Sequence, residues 1–127
     1  MKNVITALAI TLLIAGAAHA ELESATEAAV SKALASGKPT IIELGARSCP
    51  SCKKMAPIIE SLSNDYRSKA MVLFIDVNKY EDLADKFHIQ MIPTQIIYNA
   101  QGKEVKRHMG FYEKAEIVKE LKAAGLK

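Results

Sequence analysis

The stretch Cys49-Pro50-Ser51-Cys52 decides how this sequence is interpreted, because it contains the only two cysteines of the chain. It follows the apolar run Thr40-Ile41-Ile42-Glu43-Leu44 and precedes a helix-like run from Lys53 to Leu62. The pattern predicts a buried strand, a short loop and then a helix that begins near the cysteines. A thiol at a helix N-terminus faces unpaired backbone N–H groups and the positive end of the helix dipole, and both favour the thiolate.

Two thiols at this spacing are typical of a redox pair. The thiolate is the form that attacks a disulfide, and a second thiol one turn along can resolve the mixed disulfide that results. A structural disulfide is less favoured, because so short a loop restricts the unfolded chain little. A structural zinc site normally needs four ligands, and the sequence has no second C-x-x-C and no His pair at finger spacing. Metal or copper handling stays open as an alternative.

The composition is that of one ordinary globular domain. The chain has 127 residues, of which 50% are hydrophobic and 24% are charged, and these values suit a single domain. The formal net charge of +3 is small and its charges are scattered, so we expect no nucleic-acid partner.

Residues 1–20 have the pattern of a secretory signal peptide. Lys2 gives a short positive region, Val4 to Ala17 is almost unbroken apolar sequence, and Ala18-His19-Ala20 fits a small-x-small cleavage site. We therefore expect cleavage before Glu21, a mature domain over residues 21–127, and a periplasmic or secreted protein. An uncleaved membrane anchor is the alternative, although the run is short for a span of about 20 residues. Outside the cytosol, disulfides persist and must be actively made or reduced.

The mature chain predicts the element order α-β-α-β-α-β-β-α. Ser24-x-x-Glu27 has the pattern of a capping box, and Gly37 and Pro39 signal the end of that first helix. Beyond the cysteine helix we predict a strand over Met71–Val77, a helix over Tyr80–Phe87 and a strand over Gln95–Tyr98. We then predict a turn over Asn99–Gly102, a strand over Lys103–His108 and a closing helix over Glu113–Ala124.

Glu43 interrupts the apolar strand that leads to the cysteines. A carboxylate inside a sheet is unfavourable unless it is paired, hydrogen-bonded or protonated. One interpretation is a buried acid that serves the site, since buried carboxyls of raised pKa tend to mark sites. The other is a side chain that faces outward at the margin of the sheet.

This combination of features resembles the thioredoxin family over nearly the whole mature chain. The segment from Cys49 to Pro57 is similar to the active-site helix of thioredoxins, including the proline five residues after the second cysteine. Ile92-Pro93-Thr94 resembles the family's cis-proline loop, and Gly110 resembles the glycine that follows the last strand. The resemblance implies an α/β, thioredoxin-like fold with a central mixed β-sheet flanked by helices, and it implies no cofactor.

The resemblance also implies roles for individual residues. Cys49 would be the attacking thiol and Cys52 the resolving thiol. Pro93 would be cis, would place the Ile92 backbone against the bound substrate and would keep metals away from the thiols. Glu43 falls where thioredoxins have a buried acid that relays a proton to the resolving cysteine.

Three further positions complete the expected substrate-binding surface, namely Pro50, Ser51 and Gly110. Proline at the first central position of the motif removes one backbone donor. The Ser51 hydroxyl could bond the Cys49 thiolate. These two effects on the redox couple oppose each other.

The sequence departs from the family pattern around the cysteines. Ser48 and Gly45 occupy positions where the family has tryptophans, and Val72 is assigned to the position of the lysine that usually faces the buried acid. Without that cation, a buried Glu43 should hold its proton to higher pH than usual.

These features together resemble exported thioredoxin-like reductases, including the thioredoxin domain of bacterial thiol:disulfide interchange proteins. We therefore expect a monomeric protein-disulfide reductase that acts on disulfide-containing protein substrates and is recharged by a membrane electron donor. The oxidase or isomerase direction of the same chemistry is an alternative.

Two hypotheses from other functional classes are kept. One is a copper or other soft-metal chaperone with Cys49, Cys52 and a third ligand from Met91, His88 or His108. The other is a folding or assembly factor that holds unfolded chains on an apolar surface around Met91, Ile92 and Phe111.

Overall fold

The computed structural model describes residues 21–127. The predicted signal peptide, residues 1–20, lies outside the described residues. The elements follow the predicted order, with four helices and four strands in this part of the chain: α1 (Glu27–Leu34), β1 (Thr40–Gly45), α2 (Pro50–Asp65), β2 (Met71–Asp76), α3 (Glu81–Lys86), β3 (Thr94–Tyr98), β4 (Glu104–Met109) and α4 (Lys114–Ala123).

The strands form one mixed sheet in the order β2-β1-β3-β4. β1 is parallel to β2 and antiparallel to β3, and β3 is antiparallel to β4. β1 is buried along its whole length, as expected for a continuous apolar run with β-branched residues. The expected fold class, a thioredoxin-like mixed sheet flanked by helices, is confirmed.

Alternation along the strands gives the sheet two apolar faces. On one face, Ile41 and Ile97 pack with residues of α2 and α4, including Met55 and Leu121. On the other face, side chains of β1, β2 and β3 pack with Val30 of α1 and other residues that include Leu83 of α3. Glu43 lies two residues after Ile41, so its side chain belongs to the face that α2 and α4 cover.

The start of α1 differs from the prediction. Thr26, not Ser24, is the N-cap residue, and its hydroxyl accepts a hydrogen bond from the Ala29 N–H at 3.2 Å. Ser24 instead forms an isolated parallel bridge with Phe74, and its hydroxyl accepts from the Asp76 N–H at 2.8 Å. The capping-box prediction is therefore wrong, because Ser24 bonds to β2 instead of capping the helix.

Candidate active site

The cysteine pair lies at the N-terminus of α2. The helix begins at Pro50, earlier than the predicted Lys53, and Cys49 is its N-cap residue with an extended backbone. Proline suits the first helical position, because the N–H that it lacks would have no partner within the helix. The Sγ of Cys49 accepts a hydrogen bond from the backbone N–H of Cys52 at 3.3 Å. The first cysteine therefore caps the helix through its sulfur.

The two free thiols differ in exposure and in acidity. The pKa of Cys49 is lowered mainly by the Cys52 thiol, which donates to the Cys49 sulfur. The backbone N–H groups of Cys52 and Ser51 lower the pKa of Cys49 further. Burial, followed by the contact with Cys49, raises the pKa of Cys52 to about 12. Cys49 is thus the thiol that ionises first, and Cys52 is the buried partner that keeps its proton.

Ser51 acts on Cys49 through its backbone. The described contacts that favour the Cys49 thiolate include the Ser51 N–H, and the hydroxyl of the exposed Ser51 is not among them. The predicted hydroxyl bond is therefore not formed in this structure.

Glu43 is a buried acid, as one of the two sequence interpretations requires. Its side chain is 2% exposed, and neither carboxyl oxygen has a hydrogen-bond partner among the described residues. Burial raises the pKa of Glu43 to about 8, and the nearby Gln95 side chain partly offsets this increase. The alternative of an outward-facing side chain is wrong.

The residue across from Glu43 is Phe74, not Val72. In the parallel register of β1 and β2, Glu43 pairs with Phe74, whereas Val72 pairs with Ile41. The assignment of Val72 to the position that faces the acid is therefore wrong by two residues. The expected absence of a lysine there still holds, because Phe74 is uncharged, and the pKa of Glu43 is raised as predicted.

A small cavity of about 20 Å³ connects the acid to the second cysteine, and both Glu43 and Cys52 line it. Such a volume has room for one water molecule. Arg47 lines the same cavity, with its guanidinium 4.4 Å from the centre of the Phe74 ring. Arg47 also donates to the Glu21 carboxylate at 2.6 Å and to the Leu22 carbonyl oxygen. It thereby ties the N-terminal segment of the described chain over the cavity.

Gly45 makes room for the buried thiol. A Cβ at this position would lie 3.0 Å from the Sγ of Cys52 and 3.5 Å from the Phe74 ring. Contacts at the shorter distance are rare between real side chains, so the glycine permits the close approach of β1 and α2. This gives a physical reason for a glycine where the family pattern has a tryptophan.

The proline loop enters the sheet at the end where the cysteines lie. The Ile92–Pro93 peptide bond is cis, and Thr94 closes the loop by donating its hydroxyl to the Met91 carbonyl oxygen at 2.7 Å. Thr94, the first residue of β3, pairs with Leu44 near the end of β1. Because Cys49 follows β1 and Pro93 precedes β3, the register brings both segments to the same end of the sheet.

Gly110 joins this end of the sheet from β4. Its φ of +96° is in the left-handed region that favours glycine. Its N–H donates to the Pro93 carbonyl oxygen at 2.7 Å, and its own carbonyl oxygen accepts from the Gln95 Nε2 at 3.1 Å. Gly110 is therefore bonded to the proline loop and to β3.

Large apolar side chains are exposed around this loop and the end of β4. Met91 is 49% exposed, Met109 is 53% exposed and Phe111 is 42% exposed. Ile92 is half-buried, whereas Pro93 is buried. These side chains form an apolar surface beside the loop.

The alternative metal site gains no support from its proposed histidine ligands. Within residues 21–127, no group of three or more His, Cys, Asp or Glu side chains could hold a metal ion. His108 stacks on Tyr112 with ring centroids 3.9 Å apart, and its Nε2 is 2.9 Å from the Phe111 carbonyl oxygen.

Within residues 21–127, no helix is long and apolar enough to cross a membrane.

Sequence reasoning missed Gln95, Arg47 and Phe74. Gln95 is fully buried and pairs with Glu43. A polar residue at the start of the apolar run Ile96-Ile97-Tyr98 was the available signal. Arg47 and Phe74 carried no such signal, because their contact joins the turn after β1 to β2, two segments that are distant in sequence.

Comparison with known proteins shows that the chain is similar to thioredoxins. A family model described as Thioredoxin matches residues 21–123. The chain is 34% identical to a thioredoxin-like protein of Synechocystis over 86 residues, which cover 68% of this chain and 81% of that protein. It is 35% identical to a thioredoxin of Staphylococcus saprophyticus over 77 residues, which cover 61% of this chain and 73% of that protein.

Solved structures show the same fold. A thioredoxin from Nicotiana alata superposes with a TM-score of 0.65 at 30% identity, over 75% of this chain and 80% of that chain. A mutant thioredoxin from Halobacterium salinarum superposes with a TM-score of 0.71 at 19% identity, over 80% of this chain and 87% of that chain.

Proposed function

The chain belongs to the thioredoxin family, and on that premise we propose that it is an exported oxidoreductase that reduces disulfide bonds in protein substrates through the Cys49–Cys52 dithiol. The observation that carries this proposal is the contrast between the two thiols. Cys49 has a lowered pKa at the N-terminus of α2, and Cys52 is buried beside it with a raised pKa. One sulfur is suited to attack, and the other keeps its proton until it is needed.

In the first step the Cys49 thiolate attacks one sulfur of the substrate disulfide. A bond forms between Cys49 and that sulfur, the substrate S–S bond breaks, and the other substrate sulfur leaves as a thiolate. The helix N-terminus and the Cys52 thiol stabilise the attacking thiolate before the reaction. The apolar surface formed by Met91, Met109 and Phe111 would hold the extended substrate chain beside the cysteines.

In the second step Cys52 attacks the Cys49 sulfur of the mixed disulfide and releases the second substrate thiolate. Cys52 must first lose its proton, and its pKa of about 12 requires a base. Glu43 has a pKa of about 8 and lines the same cavity, so its ionised form can accept this proton at a pH near neutrality. The substrate gains two electrons, and the protein is left with a Cys49–Cys52 disulfide.

The oxidised protein needs two electrons to return to the dithiol form. We assign this step to a membrane electron donor of the thiol:disulfide interchange type, because the sequence of residues 1–20 predicts export. In that compartment a monomeric reductase would act on disulfide-containing proteins. The reductase direction rests on the family likeness of Ile92-Pro93-Thr94 and of the cysteine motif.

The test is the reduction of insulin disulfides by the purified protein with dithiothreitol as the electron source. We expect wild-type protein and Ser31→Ala, an exposed substitution on α1, to accelerate the reaction equally. Cys49→Ser should abolish the acceleration, and reduced Cys52→Ser that is mixed with insulin in the absence of dithiothreitol should accumulate a mixed disulfide at Cys49 that mass spectrometry detects. Full activity in Cys49→Ser would refute the assignment.

A further inference from the structure

A row of paired residues crosses the sheet beneath the N-terminus of α2. Glu43 on β1 pairs with Gln95 on β3, and Gln95 pairs in turn with His108 on β4. Residues directly opposite each other on neighbouring strands point to the same face, with Cβ atoms about 4.5–5.5 Å apart. The buried acid therefore has an amide, and not an apolar side chain, as its neighbour on β3.

A polar side chain at the Gln95 position is unfavourable unless it makes contacts. The residue is 0% exposed, and a buried amide without partners destabilises a protein. Its Nε2 donates to the Gly110 carbonyl oxygen at 3.1 Å, and its Oε1 has no hydrogen-bond partner among the described residues. The burial of Gln95 is thus only partly compensated by its bond to Gly110.

The amide has unused hydrogen-bonding capacity beside Glu43, with which it pairs across β1 and β3. The Nε2 atom carries two hydrogens, and only one is needed for the bond to Gly110. Neither carboxyl oxygen of Glu43 has a hydrogen-bond partner among the described residues, yet the Gln95 side chain favours the charged form of the acid. The ionised carboxylate of Glu43 is an acceptor that the second N–H can serve.

The same Nε2 atom connects Gln95 to the proline loop through Gly110. Gly110 accepts from Gln95 through its carbonyl oxygen and donates from its N–H to the Pro93 carbonyl oxygen at 2.7 Å. Glu43, Gln95, Gly110 and Pro93 are therefore consecutive members of one contact series. The series connects the acid to the segment that we assign to substrate binding.

We propose that Gln95 is a positioning residue, whose buried amide orients the Glu43 carboxylate for proton transfer from Cys52 and connects it to the Gly110–Pro93 segment. The proposal rests on the proposed function, because the proton transfer belongs to the second step of disulfide reduction. It adds a residue and a contact that act through Glu43 and do not touch the sulfur atoms.

Among the groups around Glu43, Gln95 is the polar side chain that favours the ionised form of the acid. Burial is the main reason that the pKa of Glu43 is about 8, and Gln95 opposes it. Phe74 faces the acid from β2. The titratable or charged groups near Glu43 are Cys52 and Lys53 on α2, Cys49 and Arg47 in the loop before α2, Glu21 in the N-terminal segment and His108 on β4.

The test compares Gln95→Met with Ile97→Met. Both replace a buried side chain of β3 on the same face, but only the first removes the amide. The titration of Glu43 is followed by NMR in protein that is ¹³C-labelled at glutamate carboxyl carbons, and Glu43→Gln identifies the resonance. We expect Gln95→Met to raise the midpoint by about one pH unit, since the lost contact favours the carboxylate. Ile97→Met should leave the midpoint unchanged.

The second readout is the pH dependence of each step of the reaction. In Gln95→Met the rate of mixed-disulfide resolution should reach its midpoint at higher pH. In a Glu43→Gln background, Gln95→Met should leave the pH profile of resolution unaltered. If Gln95→Met does not fold, Gln95→Asn, which shortens the amide by one methylene, should shift the Glu43 midpoint in the same direction.

An unchanged Glu43 midpoint in the Gln95 variant that folds, or an equal shift in Ile97→Met, would overturn the proposal. The titration needs no turnover, so it separates this proposal from the proposed function. If the Glu43 midpoint shifts in the Gln95 variant but the wild-type protein cannot reduce insulin, the reductase assignment is refuted and the role of Gln95 toward Glu43 is retained. If the wild-type protein reduces insulin but the Glu43 midpoint does not shift in the folded Gln95 variant, only the role of Gln95 is refuted.

Discussion

Glu43 lies directly opposite Phe74 in the parallel register of β1 and β2. The acid therefore faces an aromatic ring, and the guanidinium of Arg47 lies 4.4 Å from the centre of that ring. Burial raises the pKa of this carboxyl to about 8. An acid with this pKa can exchange a proton near neutral pH, as the second step of the proposed reaction requires.

A lysine introduced across from the acid should lower its pKa. In Phe74→Lys we expect the Glu43 midpoint to fall by about one unit or more, because an opposite charge at short range favours the carboxylate. The measurement is the NMR titration of the Glu43 carboxyl. Val72→Lys is the matched control on the same strand, and it should shift the midpoint less, because Val72 pairs with Ile41. Equal shifts in the two variants would contradict the register.

The raised pKa of Glu43 makes stability depend on pH. The folded protein holds this proton up to a pH of about 8, whereas the ordinary value is 4.5. The folded state therefore binds more protons between these values, and stability declines as the pH rises through this window. We expect Glu43→Gln to remove the decline and to increase the free energy of unfolding at pH 7 by roughly 2–4 kcal/mol.

Urea unfolding of the reduced protein between pH 4 and pH 9 measures this effect. Glu23→Gln removes an exposed carboxyl instead and should retain the wild-type decline. A wild-type protein whose stability is constant across the window would show that Glu43 is not a buried acid of raised pKa.

The two thiols should differ in reactivity toward iodoacetamide. Alkylation requires the thiolate, and the pKa of Cys49 is lowered from 9.0 while that of Cys52 is raised to about 12. We expect peptide mass spectrometry of reduced protein at pH 7 to find label at Cys49 at least about a hundredfold faster than at Cys52. The result should be the same in Ser31→Ala. Comparable labelling of both cysteines would contradict the assignment of attacking and resolving roles.

A methyl group at position 45 should disturb the buried thiol. In Gly45→Ala the new Cβ would lie 3.0 Å from the Sγ of Cys52, so we expect the reduced protein to lose about 1–3 kcal/mol of stability to overpacking. Urea unfolding measures the loss. In a Cys52→Ala background the sulfur is absent, and the same substitution should be less destabilising. A full loss in that background would place the strain elsewhere.

Local sequence patterns were sufficient to predict the element order and the site of the cysteines. The β-branched run before Cys49 predicted β1, and the spacing of apolar residues after Cys52 predicted α2. Cross-strand partners could not be predicted in the same way, because the register depends on packing between distant segments. This is why the sequence assigned Val72 rather than Phe74 to Glu43, and why the pairing of Gln95 with Glu43 was missed. Ser24 was misassigned as a helix cap for the same reason, since it bonds to β2.

The reductase assignment is tested most directly by the reduction potential of the Cys49–Cys52 disulfide, measured at equilibrium against glutathione buffers. The scale of related proteins runs from about −270 mV at the reducing end to about −120 mV at the oxidising end. We predict a value near the reducing end, as expected for a protein that gives electrons to substrate disulfides and is kept reduced by a donor. A value near the oxidising end would mean that the protein donates disulfides, and it would contradict the proposed direction of electron flow.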